Sequence, residues 1–543
     1  MARLTAYYGF DQLSLDFNIL SRQFVDLEFL DNSYLQTGGV TYEDSLAVFY
    51  ESQGWLMGAG FAGRGFRLGE GDVLLGTVNA VEAVVIDMDV YDVNWVLSGL
   101  QIPLADIFDA IYTPSVTDDW RLLDRMLAGN DLFNLSFQAD RAFGMGGHDT
   151  LFGEGGDDTL SGGIGNDQLF GGVGSDMLML DAGDDALYGG IGQDVVVVDG
   201  TRAARIDLAL TVRQDTGYGR DIITGIEDAV GGLGNDTLSG NAQANILMGV
   251  GGHDRLSGRA GEDLLDGGAG NDRLDGGTGN DLLLGGGGDD LLLGGSGADT
   301  LRGGSGNDQL FLDGGADVLE GGAGTDWLIH LGSGGVSVDL GVTVAQDTGL
   351  GLDRIMGVEN LRGGSGADRL SGNGQNNVIQ GGGGFDVIAG GSGNDRLEGQ
   401  AGNDRLDGGS GRDSLSGGVG NDRLIGGTGA DVLTGGGNAD IFVFRSLNDS
   451  TVSARDVIAD FQRGQDRIDL SAIDADHLVR GNNAFTVQSG GSFESDKGGQ
   501  LLIQRSAATN VTDVLMDVNG DGIADAAIRL QGLHVLSAGD FIL

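Results

Sequence analysis

The stretch GGAGNDRLDGGTGNDLLLGGGGDDLLL, residues 267–293, is three consecutive copies of one nine-residue unit, and its phase decides the fold. Each copy opens on paired glycines, carries a further glycine two residues before an aspartate, and places a leucine two residues after it. A glycine demanded at one phase implies a backbone at positive φ, or one approached too closely for a Cβ. One apolar position in nine cannot make an amphipathic helix, which needs three or four in two turns. It can make a short strand whose single inward side chain stacks on its copies in neighbouring turns. The unit therefore reads as a glycine turn followed by a three-residue strand, repeated along a solenoid.

Working outward, the same step organises most of the chain. A first series holds Asp149, Asp158, Asp167, Asp176, Asp185 and Asp194. A second holds Asp236, Asp254, Asp263, Asp272, Asp281, Asp290, Asp299, Asp308, Asp317 and Asp326, with Asn245 filling the remaining place. A third holds Asp368, Asp386, Asp395, Asp404, Asp413, Asp422, Asp431 and Asp440, with Asn377 as its exception. Two residues before each of these positions stands Gly, except at Gln243, Gln375 and Asn438. Two interruptions, 198–229 and 330–361, are copies of each other: Asp207, Gln214, Asp215, Thr216, Asp221 and Glu227 recur as Asp339, Gln346, Asp347, Thr348, Asp353 and Glu359. Because Asp194 to Asp236 is not a multiple of nine, the phase breaks there, and three rolls separated by two β inserts are expected. Asp221 and Asp353 read as surface-turn residues, with a ligand role as the alternative.

Composition agrees with a cation-dependent solenoid. Of 543 residues 106 are Gly and only two are Pro, and 81 acidic against 30 basic residues give a net charge of −51. That charge excludes a nucleic-acid partner held through phosphates. It would also oppose compaction by self-repulsion unless neutralised, while a hydrophobic content of 40% is too high for simple disorder. Multivalent cations are the first candidate. Calcium, a hard ion taking six to eight oxygens, suits carboxylates at fixed intervals beside glycine loops that expose carbonyls. The absence of cysteine excludes disulfides and thiolate metal sites. No apolar run is long enough for a transmembrane helix.

These units resemble the nonapeptide G-G-x-G-x-D-x-U-x of RTX proteins, over roughly 143–442 apart from the interruptions. The resemblance implies a right-handed parallel β-roll with two units per turn. Calcium would lie between turns, held by the aspartates named above and by glycine-loop carbonyls. The expected fold class is all-β: a right-handed parallel β-roll solenoid in three arrays (143–197, 230–329, 362–442), flanked by a small β-rich N-terminal domain (1–142) and a β-rich C-terminal domain (443–543).

Residues 1–142 hold 20 of the 34 aromatic residues, enough for a conventional core. VEAVVIDMDVYDVNWVL (81–97) reads as strands, and Thr117 as the cap of a short helix presenting Trp120, Leu123 and Leu127, ended by Gly129. Asp131 and Asp140 carry the nine-residue step backwards into this stretch. It contains no His, no H-E-x-x-H and no G-x-S-x-G. Elsewhere His148, His253, His330, His477 and His534 form no ligand pair at helical spacing, and the first two read as solvated turns.

The tail, opening IFVFRSLNDSTVSARDVIADFQRGQDRIDLSAID, is similar to the C-terminal domain of serralysin-type metalloproteases, which carries that family's export signal. The family's zinc-binding histidine motif is nowhere in this sequence, so protease activity is not implied. Asp517, Asn519, Asp521 and Asp525 resemble the first nine positions of an EF-hand loop, with Ile528 in place of the bidentate Glu. They read as further calcium ligands, a turn closed by Asx hydrogen bonds being the alternative. The ending Asp540-Phe541-Ile542-Leu543 resembles that of type I secretion substrates, and no N-terminal signal peptide is read. The expectation is a secreted, extracellular, calcium-binding protein without catalytic residues, acting in a matrix, in adhesion or at a surface. Its partners would be calcium ions, the type I secretion machinery, and a cell-surface carbohydrate or protein met by residues 1–142. A secreted hydrolase or carbohydrate-active enzyme with its site in 1–142 is the alternative.

Overall fold

The computed structural model describes residues 129–543, apart from 136 and 477–482, together with the backbone of strands lying between residues 3 and 103. The helix expected after Thr117 lies outside the described residues, as does His477. Among the described residues there is no α-helix; a 3-10 turn at Ala538–Asp540 interrupts an otherwise all-β chain. The chain forms two compact units, 1–269 and 270–543.

In the first unit, Phe24–Leu30, Asp44–Ser52, Trp55–Leu68, Leu74–Val84 and Asn94–Pro103 form one antiparallel sheet in that order. The last two contain the ends of the stretch read as strands at 81–97. A parallel solenoid follows. Thr150 pairs with Gln168 and Gln168 with Ala186, while on the other face Thr159 pairs with Met177 and Met177 with Val195. The offset between paired strands is eighteen residues, so two nonapeptides make one turn and consecutive nonapeptides supply opposite faces. The stack already includes Leu132–Asn134 and Arg141–Phe143, and Arg3–Thr5 pairs in parallel with the former.

The insert at 198–229 does not end this stack. Val195–Val197 pairs with Asp228–Val230, which pairs with Ile246–Met248, so one face runs straight past it. On the other face Arg220–Thr224 joins Ala186–Ile191 and is closed by an antiparallel strand, Gln214–Asp215. Arg205–Asp207 then begins a new sheet by pairing with Thr237–Ser239. The second unit repeats the device. Trp327–Ile329, Asn360–Arg362 and Val378–Gly383 continue one face. Leu352–Met356 ends the other under Gln346–Asp347, and Ser337–Asp339 starts its successor against Arg369–Ser371. Each insert is a sheet exchange, with an extra hairpin absorbing the phase change.

The core is the leucine phase read from the sequence. Leu151, Leu160, Leu169, Leu187, Leu256, Leu283, Leu292, Leu397 and Leu424 are at most 2% exposed. At about 2 kcal/mol for each fully buried leucine the stack is held largely by burial, with in-register backbone bonds along both faces. At its far end the second unit broadens. Ala526–Gln531 pairs with Val457–Ile458 and carries an antiparallel meander with Val511–Asp517 and Gln500–Ser506. Phe541–Ile542 extends the opposite sheet through Arg467–Asp469, and its Phe541 is buried.

Candidate metal centre

Each repeat aspartate sits at the end of its glycine turn with its carboxyl directed into the stack. One oxygen ties successive turns: Oδ1 of Asp167 accepts the backbone N–H of Asp149 at 2.7 Å, and Oδ1 of Asp176 that of Asp158 at 2.9 Å. The same bond recurs at Asp308, Asp326, Asp404, Asp413, Asp422, Asp431 and Asp440. In Asp149, Asp158, Asp167, Asp176, Asp290, Asp299, Asp308, Asp395 and Asp413, Oδ2 is buried and accepts no hydrogen bond. A buried, unpartnered carboxylate oxygen is costly, and a row of them is an unstable arrangement unless a cation faces it.

The surroundings supply what a hard cation needs. A Cβ added to Gly285 would come within 2.5 Å of both Asp290 Oδ2 and the carbonyl oxygen of Gly303, one turn away. Gly408 has the same relation to Asp413 Oδ2 and the carbonyl of Gly426, again at 2.5 Å. A carboxylate oxygen and a carbonyl oxygen from adjacent turns therefore converge over a glycine Cα, where no side chain fits. The donor set is oxygen, which suits calcium. Among the described residues no three acidic or histidine side chains converge on one point. A cation in these slots would therefore depend on backbone carbonyls for much of its coordination.

Four residues before most of the repeat aspartates the backbone is left-handed, and five of these positions are not glycine: Met145, Glu154, Val250, Arg259 and Gln400, with φ between 67° and 77°. Val250 is a clear outlier, since a β-branched residue rarely accepts positive φ. Such strain persists only where the surrounding structure imposes it, and it clusters at ligand sites. Burial, foremost, pushes the carboxyls upward: Asp149 to about 7, Asp158 to about 8, and Asp290, Asp386, Asp413 and Asp422 to about 7. The N–H bond to Oδ1 pulls each of them back in part, and the like charges of the neighbouring aspartates push them further up.

The structure also brings in residues the sequence reading missed. Asp456 and Asp466 continue the ladder into the tail, accepting the N–H groups of Asp431 and Asp440 at 2.9 and 3.0 Å. The step lengthens there from eighteen residues to 25 and 26, so nine-residue counting could not find them. A second ladder runs beside the first. The side chains of Asn166, Asn280, Asn307, Asn394 and Asn403, each directly before a repeat Asp, accept a backbone N–H eighteen residues later. The recurrent G-N-D triplet was its signal. His148 takes an asparagine's place, its Nδ1 accepting the N–H of Asn166 at 2.8 Å.

Asp221 and Asp353 are not surface turns. Both are 0% exposed. Their Oδ1 atoms accept the N–H groups of Asp185 and Asp317 at 2.7 and 2.8 Å, and their Oδ2 atoms bond to the hydroxyls of Thr216 and Thr348. The hairpin of each insert carries its second strand into ladder register, which no local reading of the turn reveals. In the tail, Asp517, Asn519, Asp521 and Asp525 form a loop between two antiparallel strands. Asp517 accepts the N–H groups of Gly520 and Gly522, Asn519 that of Asp521, Asp521 that of Ile523, and Asp525 that of Val518. Asx hydrogen bonds close this loop, and the unpartnered oxygens lie in the solenoid.

The family model described as RTX calcium-binding nonapeptide repeat matches in overlapping segments over 134–196, 221–328 and 356–388. These segments are RTX-type repeats. The model of the peptidase M10 serralysin C terminal matches residues 381–543. Serralysin G of Dickeya chrysanthemi is 37% identical over 91 residues, 17% of each chain. Metalloprotease AprA of Pseudomonas entomophila (strain L48) is 36% identical over 91 residues, 17% of this chain and 18% of its own. The protein thus spans less than a fifth of the length of these two relatives. Among solved structures, the AlgE6R3 subunit of the Azotobacter vinelandii mannuronan C5-epimerase aligns at 25% identity, covering 32% of this chain and 79% of that one, with a TM-score of 0.16. The AlgE6R2 subunit of the same enzyme aligns at 26% identity over 32% and 91%, with a TM-score of 0.21. The RTX repeats are of the calcium-binding type, and no helix among the described residues is long and apolar enough to cross a membrane.

Proposed function

We propose that this protein is a secreted, non-enzymatic calcium-binding RTX scaffold whose solenoid folds when calcium becomes available outside the cell. Its role would be in a matrix, in adhesion or at a surface, with residues 1–142 meeting a cell-surface carbohydrate or protein. Export through type I secretion machinery rests on the serralysin-type tail. The observation that carries the reading is the row of buried, unpartnered Oδ2 atoms, repeated turn after turn.

The repeat aspartates whose Oδ2 is buried and unpartnered, such as Asp149, Asp158, Asp290 and Asp413, would hold the ions through their carboxylates with glycine carbonyls beside them. Calcium, when bound, supplies the divalent charge that offsets the carboxylates' mutual repulsion. The chain's own residues do the rest. Oδ1 of each aspartate fixes the preceding turn through its N–H, the leucine beyond it closes the core, and the glycines leave the space over the carboxylate open. No such site exists in the extended chain, so binding free energy becomes folding free energy. In a solenoid each turn contacts mainly its neighbours, which makes the transition cooperative. Extracellular calcium modules typically work at about 10⁻⁴–10⁻³ M, and the arrays should remain unfolded below that range. The test is far-ultraviolet circular dichroism of the full chain at pH 8: β signal lost in EDTA and restored by millimolar calcium supports the reading, and an unchanged spectrum refutes it.

A further inference from the structure

The repeat slots are not all alike. Resting on the reading that open slots take calcium, we propose that the slots of Asp236, Asn245, Asp368 and Asn377, the first two after each insert, are closed by the loop's own N–H groups and take none. The calcium ladder is then divided by two metal-free joints.

Three observations carry this. In the open slots Oδ2 is buried and unpartnered. In Asp236 it accepts the N–H of Gly232 at 2.8 Å, and in Asp368 that of Gly364 at 3.1 Å, while Oδ1 accepts the N–H groups of Ala204 and Val336. Both oxygens are thus occupied, and the positive end of a backbone dipole stands against the oxygen that a cation would need. Asn245 and Asn377 close their slots likewise. Oδ1 accepts the N–H groups of Asn241 and Asn373 at 2.7 and 2.9 Å.

The second observation is the backbone. Four residues before the open slots of Asp149, Asp158 and Asp404 it is left-handed even at Met145, Glu154 and Gln400, whereas Gly232, Asn241, Gly364 and Asn373 are absent from the positive-φ residues of the described chain. That change of conformation accompanies the N–H bond to the side-chain oxygen four residues on. The third is the amide. Nδ2 of Asn245 donates to the carbonyl of Glu227 at 2.6 Å, and Nδ2 of Asn377 to that of Glu359 at 2.6 Å. Elsewhere the residue eighteen positions earlier offers the ladder an N–H; here it offers a carbonyl, because each insert glutamate sits where the strands exchange. A carboxylate cannot donate to a carbonyl, so the two exceptions to aspartate are required as asparagine. Ions shared between turns cannot couple the turns across such a joint, and calcium-driven folding proceeds in blocks on either side of it.

The experiment counts calcium bound to the full-length protein by equilibrium dialysis, with circular dichroism on the same samples. Asp290→Asn and Asp413→Asn, in open slots, should each lower the count. Asp236→Asn and Asp368→Asn should leave it unchanged, and Asn245→Asp and Asn377→Asp should add none while lowering thermal stability. A lower count in folded Asp236→Asn or Asp368→Asn, or an extra ion in Asn245→Asp or Asn377→Asp, overturns the inference. Should Asp236→Asn and Asp368→Asn fail to fold, Asn245→Asp and Asn377→Asp decide it. A wild-type protein that binds no calcium, or Asp290→Asn and Asp413→Asn with undiminished counts, overturns the underlying calcium reading instead.

Discussion

Protons and calcium should stabilise this solenoid in opposite pH ranges. Asp149, at about 7, and Asp158, at about 8, lie well above the ordinary 3.8 of the carboxyl, chiefly because burial disfavours the ion. Asp290, Asp386, Asp413 and Asp422, at about 7, behave alike. A carboxyl whose folded pKa is raised binds its proton more tightly in the folded chain. Its contribution is therefore complete below about pH 4 and is lost as pH rises through 7 to 8. A displacement of roughly three units corresponds to about 4 kcal/mol per carboxyl. Two or three such losses match the entire stability of an ordinary domain, about 5–15 kcal/mol. In chelator the full chain should accordingly keep its β signal at pH 4 and lose it at pH 8. Calcium needs the ionised form, so its midpoint concentration should rise as pH falls, by roughly tenfold per unit below about pH 7 for a site holding one such proton. The assay is circular dichroism across pH in EDTA, followed by calcium titrations at pH 6, 7 and 8. Equal β signal in chelator at both pH values, or a calcium midpoint that does not move, would refute the reasoning.

The remaining predictions concern packing and ion choice. Leu292→Ala, at a position 0% exposed and paired with Leu274 and Leu310, should cost about 2–5 kcal/mol, read as a lower melting temperature in saturating calcium. At Gly411, φ is 140° and an added Cβ would overlap the carbonyl oxygen of Gly393. Gly411→Ala should therefore raise the calcium concentration needed for folding, whereas Ser410→Ala, on the exposed neighbouring position, should not. Magnesium should restore the β signal poorly at concentrations where calcium suffices, because it demands near-ideal octahedral geometry and dehydrates reluctantly; equal midpoints for the two ions would count against carbonyl-rich, adaptable sites.

Leu274 and Leu283 were identifiable as inward from their phase alone, because a three-residue strand leaves one central side chain facing the core and the repeat copies it without exception. Asp272 and Asp281 were marked as ladder residues for the same reason. Val250 and Arg259 were not legible: both occupy a left-handed position that a local reading assigns to glycine, and only neighbouring turns force them into it. Asp456 and Asp466 escaped because loops of variable length enter the last turns, while the ladder itself continues.

The sequence by itself determined the period, the inward phase, the turn and the chemistry of the ladder, since each follows from a nine-residue spacing of Gly, Asp and Leu. Tertiary structure alone decided which slots are open. Whether an aspartate faces a cation space or a backbone N–H depends on what the turn eighteen residues away presents. At Asp221 and Asp353 stacking turned apparent surface turns into buried rungs. At Asn245 and Asn377 it turned two apparent lapses into amides required by a carbonyl, because hydrogen-bond polarity in a solenoid is set between turns and not within them.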